Sequence, residues 1–480
     1  MFDKVLIANR GEVAVRIARS CERLGIATVA IHSDIEAEAA HVKLCDEAVA
    51  VGGAPVGESY LNVEAIIEAA KSTGAQAIHP GYGLLSERPD FARAVQAAEL
   101  VFIGPSPEAM ETFGDKVRAR ELAHRAGVRV LPGTASAFED PALAGEAAQQ
   151  LGFPLMVKAA GGGGGIGMQR VDDWEGLEGA ATTCAERARA AFGDGRVFLE
   201  RFVDRPRHLE VQVVADREGT YAALGERECS VQRRHQKLLE EAPSPMLASV
   251  GRGDLRREIL CDSALRIAKE AGYEGVGTAE FLVDAEGGFH FVEFNPRLQV
   301  EHGVTEMCTG IDLVETQLRV AAGEPLSEDV TTAEPRGHAM QARIYAEDPR
   351  EDFQPRPGKI ETFRWPTVAP GALRVETGVA PGDAMTPHYD PLVALMISFT
   401  RARHLTLLNL DRVLAETEIA PLTTNVQFLR QVLADEAFRA GQYDVTLTQQ
   451  LLDAAAAEAE AAAAAAAKKD GAKSKRPPRR

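Results

Sequence analysis

Two glutamates, an asparagine, an arginine and a third glutamate follow at short intervals in the segment Gly277–His302, GTAEFLVDAEGGFHFVEFNPRLQVEH. Polar and apolar residues alternate on both sides of Asp284–Phe289, the pattern of a β-hairpin. Placing Asp284 opposite Phe289 across a four-residue turn, Ala285–Gly288, pairs Leu282 with Phe291 and Glu280 with Glu293. Like charges directly opposite, with Cβ atoms about 4.5–5.5 Å apart, destabilise a sheet. A divalent cation turns that liability into a site, because a hard ion such as Mg²⁺ takes carboxylate oxygens and shares them with substrate phosphates. Asn295 falls on the same face as a third oxygen donor. Arg297 follows as an anion binder and Glu301 as a candidate base. From the hairpin alone, an edge with solvated glutamates is an equal alternative.

A second chemical signal lies upstream. After Lys158, six of the seven positions Gly161–Gly167 are glycine. Backbone without Cβ atoms can approach closely and aim N–H groups at phosphate oxygens. The GxGxxG match inside this run carries no weight, since no helix opens after it. It is not a Walker loop either, because its lysine precedes the glycines. A plain hairpin tip is the alternative, but six glycines are entropically costly for a turn. Lys116 begins a helix just ahead of this flap, so two lysines bracket it. Together with an acidic metal pair they point to a nucleoside triphosphate, whose chemistry needs positioned phosphates, metal ions and cations. Between flap and hairpin, His208, Glu210 and Gln212 form one polar strand face. Glu226–Lys237 is dense in basic and amide side chains. Such a run is usually a solvated loop; in an acidic protein with phosphate features it reads as an anion-handling loop.

The elements that must carry these groups follow from the rest of the chain. Its 480 residues suffice for about two to four domains. Hydrophobic content of 45%, charged content of 26% and a net charge of −18 describe a globular protein without nucleic acid as its main partner. Six scattered cysteines without CxxC fit free thiols in a reducing compartment. The charged start MFDKVLIANRGE is no signal peptide, and no apolar run approaches the ~20 residues of a membrane span. The expectation is a soluble cytoplasmic protein with no membrane association. In the first ~110 residues, strands at Val5–Ala8, Thr28–His32, Ala77–His79 and Val101–Ile103 and a helix from Glu12 to Leu24 alternate. That rhythm predicts a doubly wound parallel sheet. The turn Asn9–Glu12 has one glycine and lacks the dinucleotide fingerprint. Strands Leu155–Ala160 and Met168–Val171, with a helix Asp173–Ala191, make a flap unit, and a larger mixed domain with a helix near Asp312–Ala322 follows. Asp453–Ala467 reads as helix. Gly471–Arg480 reads as a basic disordered extension.

IANRGEVAVRI, HPGYGLLSE (His79–Glu87), the glycine flap, CSVQRRHQK (Cys229–Lys237), EFNPRLQVEH and ARIYAEDP (Ala342–Pro349) occur in this order. Through them residues 1 to about 450 closely resemble the biotin carboxylases of the ATP-grasp superfamily. The resemblance implies an α/β fold: an N-terminal doubly wound sheet over 1–113, a linker helix and lid over 114–203, and a larger mixed α+β part over 204–446. An Ala-rich helix and basic tail occupy 447–480. It implies a ligase that carboxylates biotin on a biotin carboxyl carrier protein, using ATP, bicarbonate and two Mg²⁺ or Mn²⁺ ions through carboxyphosphate. Homodimerisation and carboxyltransferase partner subunits are implied as well. Carried onto matching positions, Lys116, Lys158, Gly163, Gly164 and Gly165 would hold ATP phosphates, and Glu200, His208 and Met168 the nucleoside. Gln232, His235 and Lys237 would line the carboxyphosphate region, and Glu280, Glu293 and Asn295 would carry the metals. Arg297, Gln299 and Val300 would bind bicarbonate, Glu301 would be its base, and Arg343 would stabilise the biotin enolate.

Four positions depart from the commonest pattern of that family: Ile166 for a basic flap residue, Gly303 for a proline, Gln341 for a glutamate and Leu395 for a lysine. Gly303 is expected to loosen the loop after the base. No methionine precedes a lysine, so the biotin-accepting Met-Lys motif is missing and a separate carboxylase subunit, as in acetyl-CoA carboxylase, is expected. The other reading is a nucleotide-binding regulatory or inactive subunit.

Overall fold

The structure, a computed structural model, describes residues 1–473 apart from 163, 164, 166 and 250–252. Strands β1 (Lys4–Ile7), β2 (Ala27–Ser33), β3 (Glu47–Gly52), β4 (Ala77–His79) and β5 (Val101–Phe102) form a parallel sheet of order β3-β2-β1-β4-β5. Helices Gly11–Leu24, Val63–Thr73 and Pro89–Ala97 make the crossovers. Strand order reverses between β1 and β4, where open α/β sheets leave a crevice beyond the strand ends. Asn9 straps that crevice together, its Nδ2 donating to the carbonyls of Pro80 at 2.7 Å and Tyr82 at 2.8 Å. The sequence reading missed β3. Its residues are mostly exposed at the sheet edge, so its alternation carries little burial signal.

Strands β6 (Leu155–Ala159), β7 (Met168–Val171) and β8 (Val197–Arg201) form the flap sheet, ordered β7-β6-β8. Helix Trp174–Phe192 covers it, its first turn capped by the Asp173 carboxylate accepting from Gly176 N–H. Burying Leu155, Val157, Val171, Leu177 and Leu199 gives this small unit its own core.

The third sheet positions most of the candidate chemistry. It comprises β9 (Arg207–Ala215), β10 (Tyr221–Arg233), β11 (Gln236–Ala242), β12 (Gly275–Val283), β13 (Phe289–Asn295) and β14 (His338–Tyr345). Their order is β13-β12-β9-β10-β11-β14, continued by strands Leu392–Thr400 and Leu373–Glu376, all antiparallel. Leu209, Val211, Val213, Phe281, Phe291 and Phe294 point to one face, in a core that includes buried residues of helices Lys116–Arg125 and Gly253–Glu270. Alternation therefore turns Glu210, Gln212, Glu280 and Glu293 to the other face.

The hairpin register is right where it matters and wrong at the tip. Glu280 does face Glu293, and Thr278 faces Asn295. Beyond a bulge next to Glu280, however, Phe281 pairs with Phe291, Leu282 with His290 and Val283 with Phe289. The bulge sets one extra residue on β13, so both phenylalanines reach the core and both glutamates stay on the other face. The turn holds Asp284–Gly288, closed by Asp284 N–H to Gly288 O at 3.1 Å. At the C-terminus a helix spans Leu447–Lys473, starting earlier than expected and running into the segment read as disordered; 474–480 lie outside the described residues.

The N-terminal unit meets the C-terminal part at backbone distance. A methyl group on Gly378 would lie 2.4 Å from the carbonyl carbon of Gly11 and 2.5 Å from the nitrogen of Glu12. Gly378→Ala must push these segments apart at a cost of about 1–3 kcal/mol. A thermal melt lowered by several degrees is expected; an unchanged melt would mean the contact is dispensable.

Candidate active site

A cavity of about 1120 Å³ opens between the β1–β4 crevice, the flap sheet and the polar face of the large sheet. Across the floor, register sets Glu293, Glu280 and Glu210 opposite one another on β13, β12 and β9. Three carboxylates in line repel, and burial removes the water that would screen them. Cations answer this at every step. Lys116 donates to Glu293 Oε2 at 2.7 Å, and Lys237 to Glu210 at 2.5 Å and Glu280 at 2.9 Å. Arg227, opposite Glu210 on β10, is fully buried and donates to Glu210, Gln212, Thr278 and Thr305 at 2.5–3.0 Å.

Lys237 has a third partner, Glu301 Oε1 at 2.6 Å, while Arg343 Nη2 donates to Glu301 Oε2 at 2.9 Å. Burial opposes charge on Glu301, but Lys237, Arg343 and Arg227 overcome it and hold the carboxyl well below the usual range. Burial likewise works against the Lys237 ammonium, and Glu210, Glu280 and Glu301 raise it well above an ordinary lysine. Both groups are therefore charged at neutral pH. Arg343 Nε also donates to Glu240 Oε1 at 2.5 Å. Burial pushes Glu240 up to about 7 against the pull of Arg343.

Next to this hub, Arg297 bonds Glu87 at 2.8 Å, Gln299 Oε1 at 2.9 Å and Asn295 Oδ1 at 3.2 Å, with its guanidinium lining the cavity beside Gln299 and Val300. On the opposite wall the turn between β10 and β11 places Arg234 and His235 at positive φ (49° and 65°), a strained turn that presents His235 to the flap. Gly165 rests on it: a Cβ there would come within 2.8 Å of His235 Cβ.

Of the residues expected from the sequence, Lys116, Lys158, Gly165, Met168, His208, Gln232, His235, Lys237, Glu280, Glu293, Asn295, Arg297, Gln299, Val300 and Arg343 line this one cavity. Glu301 lies directly beneath it, wholly buried. Glu200 is also below the surface, its carboxylate held by Arg120 and Lys158. Gly163 and Gly164 lie outside the described residues, as does Ile166. His208 uses Nε2 on Glu280 at 2.9 Å and Nδ1 with Gln232 at 2.9 Å. Gly303 sits in the first turn of the buried helix His302–Thr309, packed against Ile397, so the space a side chain would take is filled. Sequence reasoning gave no role to Arg227, Glu240 or Glu87, and saw Glu210 only as part of a polar strand face. The alternation marked the face, but the cross-strand partners depend on sheet order.

Glu280, Glu293 and Asn295 offer hard oxygen donors of the kind divalent cations take. Ligand atoms of His208, Glu210 and Glu280 converge within 4.8 Å, as do those of Glu210, Cys229 and Glu301; Glu293 belongs to neither group. The Lys116 and Lys237 contacts show that these carboxylates seek positive charge, so the donor set fits a cation.

Family models match end to end: the biotin carboxylase N-terminal domain over 1–110, the ATP-binding domain of the carbamoyl-phosphate synthase L chain over 115–329, and the biotin carboxylase C-terminal domain over 341–450. A biotin carboxylase of Halalkalibacterium halodurans is 48% identical over 92% of this chain and 96% of its own length. The chain is a member of the biotin carboxylase family. It is thus a ligase with the ATP-grasp arrangement of that family. Its solved relatives include the Campylobacter jejuni biotin carboxylase, at TM-score 0.90 and 38% identity over 94% of this chain and 99% of that one. The biotin carboxylase domain of the Hydrogenobacter thermophilus 2-oxoglutarate carboxylase, a dimer with MgADP, ADP and bicarbonate, has TM-score 0.89 at 41% identity over 94% and 98%. The mitochondrial propionyl-CoA carboxylase alpha chain of Homo sapiens is 44% identical over 92% of this chain, which spans 60% of that longer relative. No helix among the described residues is long and apolar enough to cross a membrane.

Arg227 is the fully buried counter-charge at the Glu210 end of the carboxylate row. Arg227→Met would leave Glu210 to Lys237 alone and its Oε1 unpaired, and breaking a buried pair costs about 3–5 kcal/mol. Chemical denaturation should show that loss; a difference below about 1 kcal/mol would refute the assigned weight of the pair.

Proposed function

We propose that this chain carboxylates the biotin of a carrier protein with bicarbonate and ATP, the first half-reaction of acetyl-CoA carboxylase or a related acyl-CoA or pyruvate carboxylase. The observation that carries the reading is the Lys237–Glu301–Arg343 triad: an ionised, wholly buried carboxylate between two cations, beside the anion pocket of Arg297 and Gln299. Lys116, Lys158 and the flap glycines, Gly163–Gly165 among them, hold the phosphates; Met168, Glu200 and His208 serve the nucleoside; Gln232 and His235 border the transferred group. Glu280, Glu293 and Asn295 would hold magnesium or manganese, which would neutralise charge on the phosphates.

Arg297, Gln299 and the Val300 backbone orient bicarbonate, and Glu301 accepts its proton as a bicarbonate oxygen bonds to the γ-phosphorus and the bond to ADP breaks. Carboxyphosphate then splits to CO₂ and phosphate. Phosphate removes the N1 proton of biotin, Arg343 stabilises the enolate, and the enolate attacks CO₂. Glu301 held by Lys237 is a weak base. Polyanionic phosphates compete for Lys237, and releasing it raises the basicity of Glu301 when substrate is in place. The MgADP and bicarbonate bound by the Hydrogenobacter domain support this assignment, and its dimer supports a homodimer here. Relatives at similar identity belong to propionyl-CoA, pyruvate and 2-oxoglutarate carboxylases, which supports acceptor choice by a carboxyltransferase outside the matched region; separate carrier and carboxyltransferase subunits in the cytoplasm are the partners of this reading.

Free biotin should stimulate bicarbonate-dependent ATP cleavage, and its failure to do so at high concentration would sink the reading. Glu301→Ala should lower that rate by about a hundredfold or more while calorimetric ATP affinity holds. An equal loss of affinity would contradict the base assignment.

A further inference from the structure

Three of the positions where the sequence departs from the family pattern meet beside Arg343. Along β14, Gln341 and Arg343 point to one face; directly opposite on strand Leu392–Thr400 stand Ile397 and Leu395. Gln341 and Leu395 are thus diagonal cross-strand neighbours. Gly303 completes the patch, since a methyl group there would lie 2.3 Å from Ile397 Cδ1 and 3.7 Å from Gln341 Oε1. Gln341 is wholly buried and Leu395 nearly so.

Gln341 makes one directed contact. Its Nε2 donates to Glu240 Oε2 at 3.2 Å across β11–β14, while Arg343 Nε holds the other oxygen of Glu240. Its own Oε1 is buried without a hydrogen-bond partner among the described residues. The charged groups around this contact are Arg343 on β14, Glu301, Lys237 on β11 and, one strand beyond Ile397 and Leu395, Arg374 and Glu376, which bond each other at 2.6 Å. The neutral amide matters because a carboxylate at 341 would stand opposite Glu240, repel it and compete for the guanidinium that Glu240 and Glu301 now divide.

We propose that Gln341 is a positioning residue: beside the uncharged side chains of Leu395 and Ile397 and the bare Gly303, its amide clamps Glu240 so that Glu240 and Glu301 together aim Arg343 into the cavity. The inference rests on the reading that Arg343 acts on the biotin enolate.

Gln341→Glu separates positioning from packing. A protonated glutamic acid reproduces the amide's donor to Glu240, whereas its ionised form repels Glu240. The variant should therefore approach the wild-type biotin-stimulated rate near about pH 6 and fall at least about tenfold below it by about pH 9, with KM for ATP unchanged. Adding Leu395→Lys supplies a counter-charge on the diagonal, shared with Glu376 directly opposite it, and the double variant should recover part of the alkaline loss. A Gln341→Glu profile that overlays wild type, or a double variant no better than the single, would overturn the proposal. Gln341→Met, close in shape and uncharged, covers the case in which the glutamate fails to fold. It should lose about tenfold in kcat at all pH values, and wild-type kcat would overturn the clamp. A wild-type enzyme that biotin does not stimulate would instead count against the reaction itself, so the two failures are told apart.

Discussion

Lys237 is the point on which the site depends. One ammonium group answers three carboxylates brought to it from separate parts of the sheet: Glu210 on β9, Glu280 on β12 and Glu301 after β13. None of these contacts is local in sequence, and the lysine is the one counter-charge that all three acids share, with Arg227 adding to it on Glu210 and Arg343 on Glu301. The cluster fixes the charge state of the cavity floor before any substrate arrives. It also makes that state responsive, because a lysine already shared three ways can be re-partitioned by an incoming polyanion without moving the backbone.

Such an arrangement is expensive. Hydrophobic residues of similar volume would often stabilise a fold as well as or better than buried ion pairs. Here the ionic face sits on a sheet whose reverse side is a dense aromatic and aliphatic core, with Phe113 stacked on Phe294 at 4.3 Å and Tyr273 edge-on at 4.8 Å. Stability is concentrated on one face of β9, β12 and β13 and spent on the other. Alternation along a strand makes that division possible residue by residue.

The sequence carried a large part of this. The parallel N-terminal sheet, two of the three flap strands and their helix, the Glu280–Glu293 pairing and many of the cavity-lining residues were readable, because each rests on local periodicity, glycine content or ordered motifs. What escaped depended on sheet order. Arg227 reads as one charge among many in a dense polar run, and only the β9–β10 pairing places it on Glu210. Glu240 is anonymous until β14 brings Arg343 beside it. The edge strand β3 escaped for the opposite reason, since little of it is buried.

The bulge in the β12–β13 hairpin has a wider meaning for how this chain can vary. It separates a tip, Phe281–Phe291 outward, from a base that holds Glu280, Glu293 and Asn295 in fixed register. Length changes in the turn can be absorbed on the tip side without transmission to the floor. The same change on the base side would rotate every following side chain through the sheet and trade the carboxylates for phenylalanines. The hairpin is therefore insulated at one end and brittle at the other: its loop is free to diverge among relatives, while the few residues below the bulge are held by arithmetic as much as by chemistry.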